Sequence, residues 1–204
     1  MTRLPDDYFD KMYRAEEDPW RLASRWYERR KYAISVALLP RARYRHAFEP
    51  GCSIGMLTQR LAEVCDRVSA VDVAEPALAA ARRRLADAGC ADRVTLGRGS
   101  LDQGWPDGPF DLLVLSEVAY YLDGRLLAAV LRREIPRLAP DATVLAAHWR
   151  HRVPEYPLSG DAANAIIAAT PGLTSTGSYL DEDVAIEVFS TGDGGSVAAR
   201  EGLI

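Results

Sequence analysis

The chain has 204 residues, 48% of them apolar, which is enough to bury one sizeable core as a single domain. A formal charge of −4 gives no long-range pull toward phosphate polymers or anionic lipid, so neither nucleic acid nor membrane is expected as a partner and a small molecule fits better. The three cysteines, Cys52, Cys65 and Cys90, are odd in number and lack C-x-x-C spacing, which argues against a disulfide framework or a zinc site, and no metal is expected.

The first ten residues carry Asp6, Asp7 and Asp10 with no apolar run behind them, and no run of about 18 uncharged apolar residues follows anywhere. A cytoplasmic protein with reduced thiols is expected, as monomer or homodimer. Over residues 5–39, Tyr8, Phe9, Tyr13, Trp20, Trp26, Tyr27 and Tyr32 stand among many charges at near-helical spacing. This predicts two or three amphipathic helices, a cap of residues 1–40 belonging to the same domain.

After Pro40 the pattern becomes short apolar runs separated by helical stretches. Strands are predicted around 47–48, 68–73, 94–96, 110–116 and 143–147, and helices over 55–65, 76–88 and 124–138. Alternation of this kind builds βαβ crossovers, so residues 41–191 are expected to form an α/β, Rossmann-like core with a parallel sheet covered on both faces. Near its end, β-prone runs at 173–180 and 184–190 are separated by only Asp181, Glu182 and Asp183, which predicts a C-terminal antiparallel hairpin. Residues 192–204 open with turn-forming residues and are expected to fray as a tail.

The first strand feeds Glu49-Pro50-Gly51-Cys52-Ser53-Ile54-Gly55. A strand, a Gly51-x-x-x-Gly55 turn and a helix bring backbone N–H groups to the helix start, where a residue without Cβ lets a ligand approach the chain. Asp72, followed by Val73, ends the next strand 21 residues after Gly51, where doubly wound nucleotide-binding folds carry the acid that accepts from ribose hydroxyls. A nicotinamide dinucleotide is disfavoured, because Ser53 stands where its fingerprint needs a second glycine. Glu49 repels a pyrophosphate but suits a ligand bearing an ammonium and a sulfonium, so S-adenosylmethionine is the expected cofactor. The bland alternative is a turn that only packs helix on strand, with Asp72 a solvated strand end.

The run 110–117 is a buried strand reaching the carboxyl edge of the sheet, so Ser116 and Glu117 are expected to face the transferred methyl. Together, Asp18-Pro19-Trp20, Trp26-Tyr27-Glu28-x-x-Lys31, the turn 49–55, Ser116-Glu117-Val118-x-Tyr120-Tyr121-Leu122, His148-Trp149-Arg150-His151 and Pro157-Leu158-x-Gly160-Asp161 resemble the NodS-like nodulation N-methyltransferase family over nearly the whole chain. The resemblance implies the class I methyltransferase sandwich and N-methylation of an amine at the end of a de-N-acetylated chitooligosaccharide. It also implies Ser100 and Leu101 at the adenine edge, with Ser100 where an Asp is usual. Ala162-Ala163-Asn164 departs from the family, which often has a His there, so the acceptor can differ.

Methyl transfer to a small-molecule acceptor is an in-line displacement whose protein contribution is alignment and exclusion of water. Glu117 and His148 are candidate bases and Tyr120 a candidate orienting group. Glu117 can instead serve a helix N-terminus, and His148 can be a satisfied strand-end residue. Trp20, Trp26 and Tyr27 read as core or as a lid, with Trp20 nearest the ligand. Lys31 either contacts the donor's carboxylate or is solvated, Arg25 reads as solvated, and Asp161 reads as a helix N-cap or an ammonium binder. O- or C-methylation and a non-catalytic module that binds the donor or its demethylated product are the alternative functions.

Overall fold

The computed structural model describes residues 2–204. Two cap helices, α1 (Asp6–Ala15) and α2 (Trp26–Ala37), precede β1 (Tyr44–Pro50), α3 (Met56–Val64), β2 (Cys65–Asp72), α4 (Glu75–Asp87) and β3 (Val94–Arg98). The second half runs β4 (Leu112–Ser116), α5 (Gly124–Glu134), β5 (Thr143–Trp149), α6 (Gly160–Ala168), β6 (Thr174–Leu180), β7 (Val184–Ser190) and α7 (Val197–Arg200).

The seven strands form one sheet in the order β3-β2-β1-β4-β5-β7-β6. The first five are parallel, and β7 runs antiparallel to both β5 and β6. The chain winds outward from β1 to β3, then returns to place β4 on the other side of β1. That reversal opens a crevice at the carboxyl ends of β1 and β4, where open α/β sheets take their ligands.

The sheet is covered on both faces, which is why β4 reads as an unbroken apolar run. Successive residues alternate between two cores: Ala47, Val114 and Ala147 pack with α3, while Phe48, Leu113 and Leu115 pack with α5 and α6. A third cluster joins Phe9 and Tyr13 of α1 to Ala74, Ala77 and Ala80 at the start of α4, so the cap closes over the crevice.

Some local expectations change. The helix predicted over 124–138 leaves α-geometry after Glu134 in a 3-10 turn at Ile135–Arg137, because Pro136 lacks the N–H that an α-helix needs. Helix α6, absent from the predicted elements, is capped by Ser159, whose side chain accepts from Ala162 N–H; Asp161 is thus not the N-cap and instead pairs with Arg150 at 2.9 Å. Part of the supposed tail forms α7, capped by Ser196. No helix among the described residues is long and apolar enough to cross a membrane.

Candidate active site

One cavity of about 700 Å³ follows the carboxyl edge of the sheet under α1 and α2, within the roughly 300–1,000 Å³ common for small-molecule sites. It lies over β1, β2 and β3 at one end and over β4, β5 and the start of β7 at the other.

At the first end the turn after β1 is shaped by left-handed backbone at Gly51 (φ 77°), Ser53 (φ 52°) and Gly55 (φ 78°). A Cβ on Gly51 would stand 2.9 Å from Val118 Cγ2, so only glycine lets the turn approach the β4 loop. Ser53 N–H donates to Asp72 Oδ2 at 2.8 Å, and Ala74 N–H donates to Oδ1 at 2.9 Å. The carboxylate is therefore aimed by two backbone groups and keeps lone pairs free on both oxygens. Burial pushes its pKa up to about 6 against those hydrogen bonds.

Glu49 is 3% exposed. Its Oε2 accepts from the Thr58 hydroxyl at 2.6 Å. Burial raises its pKa to about 8, and the nearby Asp72 adds to the effect. A buried acid without a counter-charge stays protonated unless a cation is placed beside it. Val73, Ser100 and Leu101 line the same end, and the Ser100 hydroxyl bonds Asp102. The acid pair, the open turn and this apolar edge fit an aminoacyl nucleoside with a positive charge.

At the other end Glu117 follows β4 with left-handed backbone (φ 54°), a strained geometry for a non-glycine residue. Its carboxylate takes three hydrogen bonds: from Lys31 Nζ at 2.7 Å, Tyr120 Oη at 2.6 Å and Trp149 N–H at 2.8 Å. Burial acts to raise its pKa, but Lys31 and the other neighbours outweigh burial and hold it below the ordinary carboxylate value. Only a short 3-10 turn, Ala119–Tyr121, follows, so Glu117 serves no helix N-terminus. Lys31 also lies 2.9 Å from Glu28 Oε2, in an ion contact without hydrogen-bond alignment.

Of the residues singled out in the sequence, Trp20, Lys31, Glu49, Gly51, Ser53, Asp72, Val73, Ser100, Leu101, Ser116, Glu117 and Tyr120 line this cavity. Two do not. Gly55 is a packing position, since a Cβ there would meet Ala81 Cβ at 3.1 Å. His148 is wholly buried behind the site: its Nε2 accepts from Ala119 N–H at 3.2 Å, which leaves Nδ1–H to donate to Asn164 Oδ1 at 2.6 Å. Burial also holds its pKa below the usual imidazole value. With both nitrogens committed, His148 braces the loop after Glu117 instead of facing a ligand. Lys31, expected at the donor's carboxylate or in solvent, is 2% exposed and held by the two carboxylates, and Arg25, expected in solvent, is exposed at the cavity wall.

Several lining residues escaped the sequence reading. Tyr13, whose hydroxyl bonds the Ser53 hydroxyl, was visible only as one cap aromatic among seven. Asp183 arrives from the three-residue hairpin turn and carries no local signal. Glu28 and Lys31 are spaced i,i+3, which was the available hint of their pairing. The described residues contain no group of three or more His, Cys, Asp or Glu able to hold a metal ion.

The family model described as Nodulation protein S (NodS) matches residues 6–170. Nodulation protein S of Bradyrhizobium diazoefficiens is 33% identical over 141 residues, 68% of this chain and 66% of that protein. The matched stretch thus spans just under two thirds of that curated relative, and 58% of the Sinorhizobium fredii one. Among solved structures, a candidate methyltransferase from Pseudomonas syringae is 39% identical with a TM-score of 0.68, covering 81% of this chain and 99% of that one. The N-methyltransferase NodS from Bradyrhizobium japonicum WM9, in complex with S-adenosylhomocysteine, is 23% identical with a TM-score of 0.78, covering 90% and 96%. The fold is the Rossmann-like fold of S-adenosylmethionine-dependent methyltransferases, and the chain belongs to the nodulation protein S family.

Proposed function

We propose that the protein N-methylates a small amine, such as an amino sugar, with S-adenosylmethionine as donor. The observation that carries this reading is the single cavity joining the Glu49–Asp72 acid pair to the ionised Glu117 carboxylate. The donor supplies an already activated methyl on sulfonium, so the protein's task is alignment and charge.

Asp72 accepts from the ribose hydroxyls, Glu49 faces the donor's ammonium, and the Gly51–Ser53 backbone gives the close approach. Val73 and Leu101 flank the adenine, with Ser100 at its edge, and Trp20 covers the donor from the cap. Ser116 and Glu117 stand where the acceptor nitrogen meets the methyl.

The acceptor arrives as a neutral amine and leaves as a methylated ammonium, so positive charge builds on nitrogen as the N–C bond forms. A carboxylate fixed before reaction stabilises that charge. Held below the usual carboxylate range, Glu117 is a poor base for a hydroxyl acceptor, which favours N- over O-methylation. Tyr120 and Lys31 fix the carboxylate's direction through their hydrogen bonds.

The test is incubation with S-adenosylmethionine and a panel of primary amines, amino sugars included, read by product mass. One added methyl on nitrogen with release of S-adenosylhomocysteine is expected. Tight S-adenosylhomocysteine binding with no methylated amine from the panel overturns the reading.

A further inference from the structure

Tyr27 Oη is buried and has no hydrogen-bond partner among the described residues, although its side chain lines the cavity. Its ring is clamped edge-on against Trp149, with centroids 5.1 Å apart and planes at 85°, and Lys31 Nζ lies 5.2 Å from its centroid. A tyrosine that only packed would be served as well by phenylalanine, because a buried hydroxyl left unpaired is destabilising. Such an orphan signals a partner that is not part of the chain.

Position decides which partner. Tyr27 meets the end of β5 through Trp149 and the end of β4 through Lys31 and Glu117, on the far side of β1 from Asp72. The hydroxyl therefore belongs to the acceptor half. The surroundings are acidic: Glu28, Glu117 and Asp183 line this half around the single buried cation Lys31. Lys31 contacts both the Tyr27 ring and Glu117, so one small molecule can reach hydroxyl and carboxylate together.

The geometry points to Tyr27 as a specificity-determining residue that hydrogen-bonds a hydroxyl carried close to the acceptor's amine, so that the site prefers hydroxylated primary amines over their deoxy counterparts. This rests on the amine reading given above. Tyr27 moves no proton in the transfer and acts through affinity alone.

The experiment uses the full chain saturated with S-adenosylhomocysteine, titrated by calorimetry with trans-2-aminocyclohexanol and with cyclohexylamine. The amino alcohol is expected to bind about three- to tenfold more tightly, the yield of one neutral hydrogen bond. Tyr27→Phe should abolish that difference while leaving S-adenosylhomocysteine affinity unchanged, which also certifies the fold. In turnover the same factor should appear in KM for the amino alcohol, with kcat unmoved. A variant that keeps the preference, a parallel loss of S-adenosylhomocysteine affinity, or no binding of either amine overturns the assignment. The expected binding pattern without any methylated product instead overturns the transferase reading and leaves the subsite standing.

Discussion

Lys31 Nζ sits 2.7 Å from Glu117 Oε1 and 2.9 Å from Glu28 Oε2, so one buried ammonium ties the second cap helix to the end of β4. Burial alone would lower the pKa of Lys31, but the two carboxylates outweigh it and hold the group above its ordinary value. Lys31→Met leaves both carboxylates without their cation. A loss of about 3 kcal/mol is expected, the lower end of the range for breaking a buried pair, because the Glu117 side chain keeps 22% exposure. Urea unfolding at neutral pH measures it, and a change within about 0.5 kcal/mol, the scatter of ordinary surface substitutions, contradicts the account.

The same pair sets two pH limits. Glu117 is held below 4.5, so its contribution is present above that value and is lost as pH falls through the lower folded value. Lys31 is held above 10.5, so its contribution is full below that value and is lost as pH rises through the higher one. Thermal melts against pH should show the acid loss shrinking in Glu117→Gln and the alkaline loss shrinking in Lys31→Met.

Asp72→Ala should weaken S-adenosylhomocysteine binding by about 1–3 kcal/mol through loss of charge-assisted hydrogen bonds. Ser53 and Ala74 also lose the acceptor of their N–H groups, so the turn loosens as well. Calorimetry decides, and unchanged affinity removes Asp72 from the donor half.

Donor binding is expected to depend on pH through Glu49. With its pKa pushed up to about 8, the free protein holds it protonated at neutrality, whereas a cationic donor selects the ionised form. Binding therefore releases a proton, and affinity should climb between roughly pH 7 and 8, by at most about tenfold per unit, before levelling off. In Glu49→Gln this slope should vanish. A wild-type slope that persists in the variant assigns the proton to another group.

His148→Leu removes the acceptor of Ala119 N–H and the donor to Asn164. Two buried groups are then unpaired, at about 1–3 kcal/mol each. Because the loop after Glu117 loosens, kcat on an amine should fall while S-adenosylhomocysteine affinity holds. A kcat equal to wild type shows that the brace has no bearing on the reacting groups.

The half of the cavity proposed for the donor was legible in the residues because its parts are local. The strand, the Gly51 turn and Asp72 fall within one βαβ unit, and in that unit backbone geometry and residue type limit one another. Gly51 needs its left-handed backbone and close approach wherever such a turn precedes a helix, and Asp72 falls at a strand end by spacing alone. For His148 the opposite holds. A histidine at the end of a strand looks the same in sequence whether its ring faces a cavity or a neighbouring helix, and only Asn164 of α6 and the Ala119 N–H settle the matter.

By itself, then, the sequence determined the α/β winding, the hairpin at the sheet's edge and the glycine turn with Asp72 proposed to hold the donor, since hydrophobic period and turn chemistry act over a few residues. Tertiary structure decided the half of the cavity proposed for the acceptor. Tyr27, Glu28 and Lys31 meet Glu117, Trp149 and Asp183 across long stretches of chain. A charge in sequence carries no mark of its partner; burial beneath α2 is what turned solvated-looking residues into a fixed ion pair.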